Sequence, residues 1–370
     1  MPRVGREPVK ACLVFVCGAL LALTPATPAA SQKGAVQVAW ASRPCELRSL
    51  RTWRGAPRYA QTLQTWTAEA FCGRHAPATQ QPRALSAKPC LTLLAVGDVM
   101  LDRGVGKAIR AHGPDYPFGA VRRVIRSAGL SVFNCECVLS TRGARTQGPY
   151  RFRADPSLAG AIARAGFKVA VLANNHAQDY GPDALADTMR ALQAAGITAV
   201  GAGQDQADAA LLKVVEKGGL RVGFLAFCDV QDPWTASPDD APTVARVEDE
   251  KLGAEVAAAK PLCDTLVVVF HCGVEYMKRP TERQVALAHK CVDAGADLVL
   301  GCHPHVLQTV EEYKGKPIVY SMGGFVFDSN VFDSDRSAMF LFELRKRSAR
   351  LVRTIPILMK GGRTQPAASN

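Results

Sequence analysis

Two imidazoles one residue apart, in Gly301-Cys302-His303-Pro304-His305, leave the end of the apolar run 296–300. On a turn after a buried parallel strand, such a pair can point at one metal ion, because ligands of open α/β sheets gather at the carboxyl edge. Four more polar clusters follow apolar runs in the same way: Gly97-Asp98, Asn134-Cys135-Glu136, Asn174-Asn175-His176 and His271-Cys272-Gly273-Val274-Glu275. Carboxylate, amide and imidazole donors of these types bind hard or borderline divalent cations. Any one cluster is equally well read as a cap, a turn or a satisfied histidine, but five in succession predict a shared metal-centred site.

The runs that must position these residues alternate with helical patterns. Strands are expected at 91–96, 130–133, 167–172, 197–200, 223–227, 265–270 and 298–300. Helices are expected at 103–112, 119–128, 155–165, 182–195, 248–260 and 281–294. This alternation predicts an α/β layered fold. From residue 306 the segments 306–310, 317–321, 338–344 and 351–357 read as strands with no helix between them, so the second sheet is expected to be antiparallel. The stretch 228–243, with three prolines, Asp239 and Asp240, is long enough to be read as a lid over a site.

Charge is unevenly placed. The chain carries a net +12, yet residues 1–90 hold 12 Lys/Arg against 3 Asp/Glu, leaving +3 for the remaining 280 residues. That balance, without interleaved aromatic and Arg residues, argues against a nucleic-acid groove. Residues 1–30 read as a secretory signal: Arg3, Arg6 and Lys10 precede the apolar stretch 11–23, and Ala26, Ala29 and Ala30 supply small residues for cleavage between Thr27 and Ser31. The apolar stretch is shorter than the about 20 residues of a spanning helix, so a membrane anchor is expected only if the segment stays uncleaved. Residues 31–90 form a basic extension with a possible helix at 58–71; 91–358 are the main domain and 359–370 a flexible tail. Ten cysteines remain after the signal, and Cys45 with Cys72 is the preferred disulfide, because they bracket the least self-supporting segment. The cysteines of the apolar strands and helices are expected to be free and to act as small hydrophobes.

The ordered motifs Gly-Asp, Asn-x-Glu, Asn-Asn-His, His-x-Gly-x-Glu and His-Pro-His, followed by Tyr320-Ser321-Met322-Gly323-Gly324-Phe325-Val326-Phe327-Asp328, resemble the bacterial poly-gamma-glutamate capsule biosynthesis (CapA-like) family. Its fold is similar to that of calcineurin-like metallophosphoesterases. The resemblance spans about residues 91–357 and implies a four-layer αββα sandwich of two mixed sheets. It implies one or two divalent ions (Mn, Fe, Zn or Mg) held by Asp98, Glu136, Asn175, His271, His303 and His305. His176 takes the place of the general acid; Glu275 is a base or a partner that orients a ligand; Asp98 also orients water. Met100 stands where the phosphoesterase pattern has His, which implies that one metal position is weakened. Cys272 and Gly324 stand where Trp and Asn are common. The function implied is a secreted, metal-dependent hydrolase or transferase acting on poly-gamma-glutamate or a related anionic cell-envelope polymer or peptide-like substrate. A phosphoesterase, and a binding or assembly factor for the polymer-synthesis machinery, stand as alternatives.

Overall fold

The apolar runs become strands covered on both faces. Leu130–Cys135, Thr265–His271 and Leu298–Cys302 are buried at every position, and Leu91–Val99 at all but Thr92. Strands so enclosed must be apolar on both sides, which is why they read as continuous runs and not as alternating ones. The computed structural model describes residues 89–232, 241–328, 331 and 333–367.

Two mixed sheets carry the fold. The first has the order Arg363–Pro366, Ser348–Lys360, Arg336–Arg345, Leu91–Val99, Leu130–Cys135, Val169–Val171, Thr198–Val200, with Gly324–Val326 also paired to Leu91–Val99. From Leu91–Val99 to Thr198–Val200 the strands run parallel. The second has the order Val310–Tyr313, Lys316–Val319, Leu298–Cys302, Thr265–His271, Leu220–Cys228, Lys213–Lys217, parallel except at its two outer pairs.

Alternation along the second sheet separates two cores, since successive side chains point to opposite faces. Phe224, Ala226, Val267, Val269, Leu298 and Leu300 join Leu93, Val132 and Phe133 of the first sheet. Leu225, Phe227, Leu266, Val268 and Phe270 face the other way, onto Leu252 and Val256 of helix Leu252–Ala259 and Leu287 and Cys291 of helix Glu282–Asp293. Ile125, Ile162 and Leu185, from the helices Arg122–Ser127, Leu158–Ala165 and Pro182–Ala194, belong to the first core. The result is helices, sheet, sheet, helices. Each large side chain so enclosed contributes about 1.5–3 kcal/mol.

The C-terminal third departs from the sequence reading. Its strands do not make a separate antiparallel sheet: Arg336–Arg345 and Ser348–Lys360 form a hairpin on Leu91–Val99, whereas Lys316–Val319 runs parallel to Leu298–Cys302. The hairpin covers the edge of Leu91–Val99 that would otherwise leave its backbone unpaired. Residues 306–309 form no strand beyond an isolated bridge between Leu307 and Met322, and the strand there is Val310–Tyr313. The segment read as a tail continues the sheet to Pro366, with Thr364 buried and its hydroxyl donating to the Phe325 carbonyl. The signal, residues 31–88 of the basic extension, with Cys45 and Cys72, and residues 233–240 of the expected lid lie outside the described residues. Among those described, no helix is long and apolar enough to cross a membrane.

All eight described cysteines are free, and only Cys90 is exposed. Burial pushes the Cys228 thiol up to about 11 and the Cys291 thiol up to about 12. At pH 8 iodoacetamide should therefore label Cys90 at once and half-buried Cys263 slowly. Cys135, Cys137, Cys228, Cys272, Cys291 and Cys302 should react only after denaturation. Peptide mapping by mass spectrometry checks this, and rapid native labelling of Cys291 would contradict the packing of the outer core.

Candidate metal centre

The parallel strands of both sheets deliver their carboxyl ends to one place. Asp98 sits where Leu91–Val99 presses against the turn before Gly324: a Cβ on Gly97 would lie 1.7 Å from the Gly323 carbonyl oxygen, so only glycine permits the approach. The Asp98 N–H donates to that same oxygen at 3.1 Å. Its Oδ1 accepts from Asn134 Nδ2 at 2.8 Å, and its Oδ2 lies 2.9 Å from His305 Nδ1. Glu136 is anchored by its N–H to the Val99 carbonyl at 2.9 Å, and its Oε2 accepts from Asn134 Nδ2 at 3.2 Å. The same amide nitrogen is 3.2 Å from His271 Nδ1, while His271 Nε2 is 2.8 Å from Asn175 Oδ1. Two amide hydrogens thus face three acceptors.

Two buried atoms of this cluster have no hydrogen-bond partner among the described residues: Glu136 Oε1 and His303 Nδ1. Such atoms are uncommon inside proteins and call for a ligand or an ion. Glu136 Oε1 lies 3.6 Å from His305 Nε2 and 4.0 Å from His176 Nε2. The His271 and His303 rings are 4.8 Å apart. One oxygen or nitrogen from each of Asp98, Glu136 and His271 falls within 4.8 Å of the others, and the same holds for Glu275, His303 and His305. Oxygen and imidazole donors in this mixture fit a divalent cation.

Electrostatics agree with the donor set. Burial pushes the Glu136 carboxyl well above its usual range, reinforced by ionised Asp98. For Asp98 the His305 hydrogen bond and charge outweigh burial and hold the carboxyl below its usual value. Burial, then neighbouring histidines, pushes His271 well down, and His303 falls to about 3 for the same reasons. Both rings are therefore neutral at pH 7, the form that binds a cation, although both His271 nitrogens lie within hydrogen-bond reach of Asn134 and Asn175.

His176 belongs to a second hydrogen-bonded chain. The Asn174 carboxamide accepts from the His176 N–H at 3.0 Å and donates to Asn134 Oδ1 at 3.1 Å and the Cys135 carbonyl at 3.0 Å, fastening this turn to the neighbouring strand. His176 Nδ1 is 2.9 Å from Asp179 Oδ2, which also accepts from the Phe152 N–H at 2.7 Å. Arg151 pairs with Asp179 at 3.3 Å and with Asp232 at 3.1 Å. A carboxylate on Nδ1 fixes the tautomer and leaves Nε2 facing the cluster. Phe152 lies 4.3 Å from the His176 ring and Phe327 4.7 Å from the His305 ring, forming an apolar wall. Asp179 and Arg151 escaped the sequence reading, although Asp three residues after His176 was a visible signal, and Asn174 was seen there only as part of its motif.

The histidine turn is strained: His303 has φ 99° and His305 φ 57°. Such backbone is retained where function requires it. His303→Gly should accordingly be more stable than His303→Ala by about 1 kcal/mol, because only glycine adopts positive φ without cost. Paired thermal melts test this, and equal stabilities would show that the turn relaxes.

A sequence profile described as "Bacterial capsule synthesis protein PGA_cap" matches residues 92–329. The chain belongs to that family. It is 32% identical over 287 residues to the "Capsule biosynthesis protein CapA" of Bacillus anthracis, covering 75% of this chain and 70% of that protein. Identity to the "PGA biosynthesis protein CapA" of Bacillus subtilis (strain 168) is also 32%, over 265 residues, covering 71% and 70%. Among solved structures, a 5'-nucleotidase precursor from Thermus thermophilus superposes with a TM-score of 0.43 at 15% identity, covering 75% of this chain and 54% of that one.

Of the residues that stand where the resemblance implies others, Met100 and Gly324 are both buried. Met100 is fully buried in the first core, and its sulfur accepts from the Asp102 N–H at 3.1 Å. A thioether engaged this way supplies no hard donor. At Gly324, a Cβ would come 2.9 Å from the terminal methyl of Met359, a flexible side chain that would have to shift to admit a larger residue.

Proposed function

We propose that this capsule-synthesis family member is an exported, metal-dependent hydrolase or transferase acting on poly-gamma-glutamate or a related anionic envelope polymer. The observation that carries the reading is that Glu136 Oε1 and His303 Nδ1 are buried without hydrogen-bond partners, each in a donor group that could hold metal, with Glu136 Oε1 4.0 Å from Nε2 of the His176–Asp179 pair. Asp98, Glu136, Asn175, His271, His303 and His305 would hold divalent metal, which when bound supplies Lewis acidity and a more acidic water. The chain's own residues do the rest. Asp179 holds His176 with Nε2 toward the site, so that a protonated His176 can donate to the departing amine or alkoxide. Phe152 and Phe327 exclude water beside the two rings. Relatives named for capsule and polyglutamate biosynthesis support the polymer as substrate.

The test is metal analysis of protein purified without added metal, followed by incubation with poly-gamma-glutamate and with a generic phosphodiester. Bound metal with a change in polymer length supports the proposal. Bound metal with phosphodiester cleavage alone would assign a phosphoesterase. Metal-free protein that grips the polymer without changing it would assign an assembly factor.

A further inference from the structure

A carboxylate from another loop, Glu275, stands beside two of the cluster's histidines. We propose that Glu275 is a metal ligand that, with His303 and His305, completes a second cation position; this rests on the metal-dependent reading above. The two donor groups share no member: Asp98, Glu136 and His271 form one, Glu275, His303 and His305 the other. His303 brings to the second group a buried Nδ1 that has no hydrogen-bond partner.

The backbone carrying Glu275 is built to hold it there. Gly273 has φ 109° and Tyr276 φ 60°, so the turn is left-handed on both sides of the carboxylate. The Tyr276 N–H donates to the Pro304 carbonyl at 2.8 Å, tying the residue after Glu275 to the middle of the His-Pro-His turn. A Cβ on Gly273 would meet the Gln284 side chain at 2.6 Å, and Gln284 in turn donates to Gln308 Oε1 and the Tyr320 carbonyl. Loop and histidine turn therefore move as one unit. Charge favours the same arrangement. With neutral imidazoles, Asp98, Glu136 and Glu275 offset most of the charge of two divalent ions but over-compensate one. A carboxylate oxygen also suits Mn, Mg or Zn.

Glu275 is exposed, so its substitution should leave the fold intact. The experiment is Mn2+ titration of metal-stripped full chain, with free Mn2+ read by EPR and bound metal by elemental analysis, for wild type, Glu275→Gln and Glu275→His. Wild type should bind two ions. Glu275→Gln should keep one with affinity within about threefold and weaken the other at least tenfold, and Glu275→His, which retains a donor atom, should recover part of the loss. If both ions bind Glu275→Gln as tightly as wild type, or if a single wild-type ion is unaffected by the change, Glu275 is not a ligand. Wild type that takes up no Mn2+, Zn2+ or Fe2+ would instead remove the metal-dependent reading itself.

Discussion

Glu136→Gln is expected to lose the divalent ion of its own donor group and, with it, at least about 100-fold in turnover, more than the 10–100-fold typical of residues that only support a ligand. The substitution keeps the shape and the Asn134 contact at 3.2 Å but removes the charge from an atom that has no other partner. The same change should stabilise the metal-stripped protein at high pH. Burial raises the Glu136 carboxyl, so the folded metal-free chain holds a proton that the unfolded chain releases above about pH 4.3. The stability from that proton is complete below this pH and is lost as pH rises through the folded value. Metal-stripped Glu136→Gln should therefore melt a few degrees above metal-stripped wild type at pH 8, the gap closing toward pH 4.3, about 2–4 °C per kcal/mol for a domain of this size. His271 and His303 act in the opposite sense, but equally in both proteins. Their lowered values cost stability as pH falls below about 6.5, toward about 3 for His303. Melts of stripped protein from pH 5 to 8, with metal content of the unstripped samples, decide it. Full metal content in Glu136→Gln would show that the carboxylate is not a ligand.

His176→Asn should leave metal content unchanged and lower kcat by about 10²–10⁴ on substrates with a basic leaving group. Its Nε2 lies 4.0 Å from Glu136 Oε1, while Nδ1 is engaged by Asp179 at 2.9 Å, so the ring borders the cluster as an oriented proton donor. Activated esters, whose leaving groups need no proton, should lose far less, and Asp179→Asn should reproduce the defect in milder form because the ring keeps its place but loses the partner that sets its tautomer. Comparing kcat on polymer and on activated substrate, with metal analysis alongside, separates this role from a structural one. Equal losses on both substrates would show that His176 positions something other than the leaving-group proton.

What the sequence by itself determined is the parallel part of the fold and which polar residues follow its strands. Runs such as 91–96, 265–270 and 298–300 are apolar throughout because both faces are covered, and each ends in polar residues because parallel strands share a carboxyl edge. Asp98, Glu136, Asn175, His176, His271, Glu275, His303 and His305 all follow such strands, and their separate roles were implied by the family resemblance and not by position. Only tertiary structure decided what depends on pairing between distant segments. An antiparallel hairpin carries no mark of the edge it will cover, so nothing local placed Arg336–Arg345 beside Leu91–Val99 or drew Arg363–Pro366 into the sheet. That Asn134 serves three acceptors, that Asp179 orients His176, and that Met100 turns its sulfur to the Asp102 backbone are facts of packing. Spacing along the chain names the groups that can reach one another, but hydrogen-bond partners inside a protein are fixed by which side chains the core leaves room to turn.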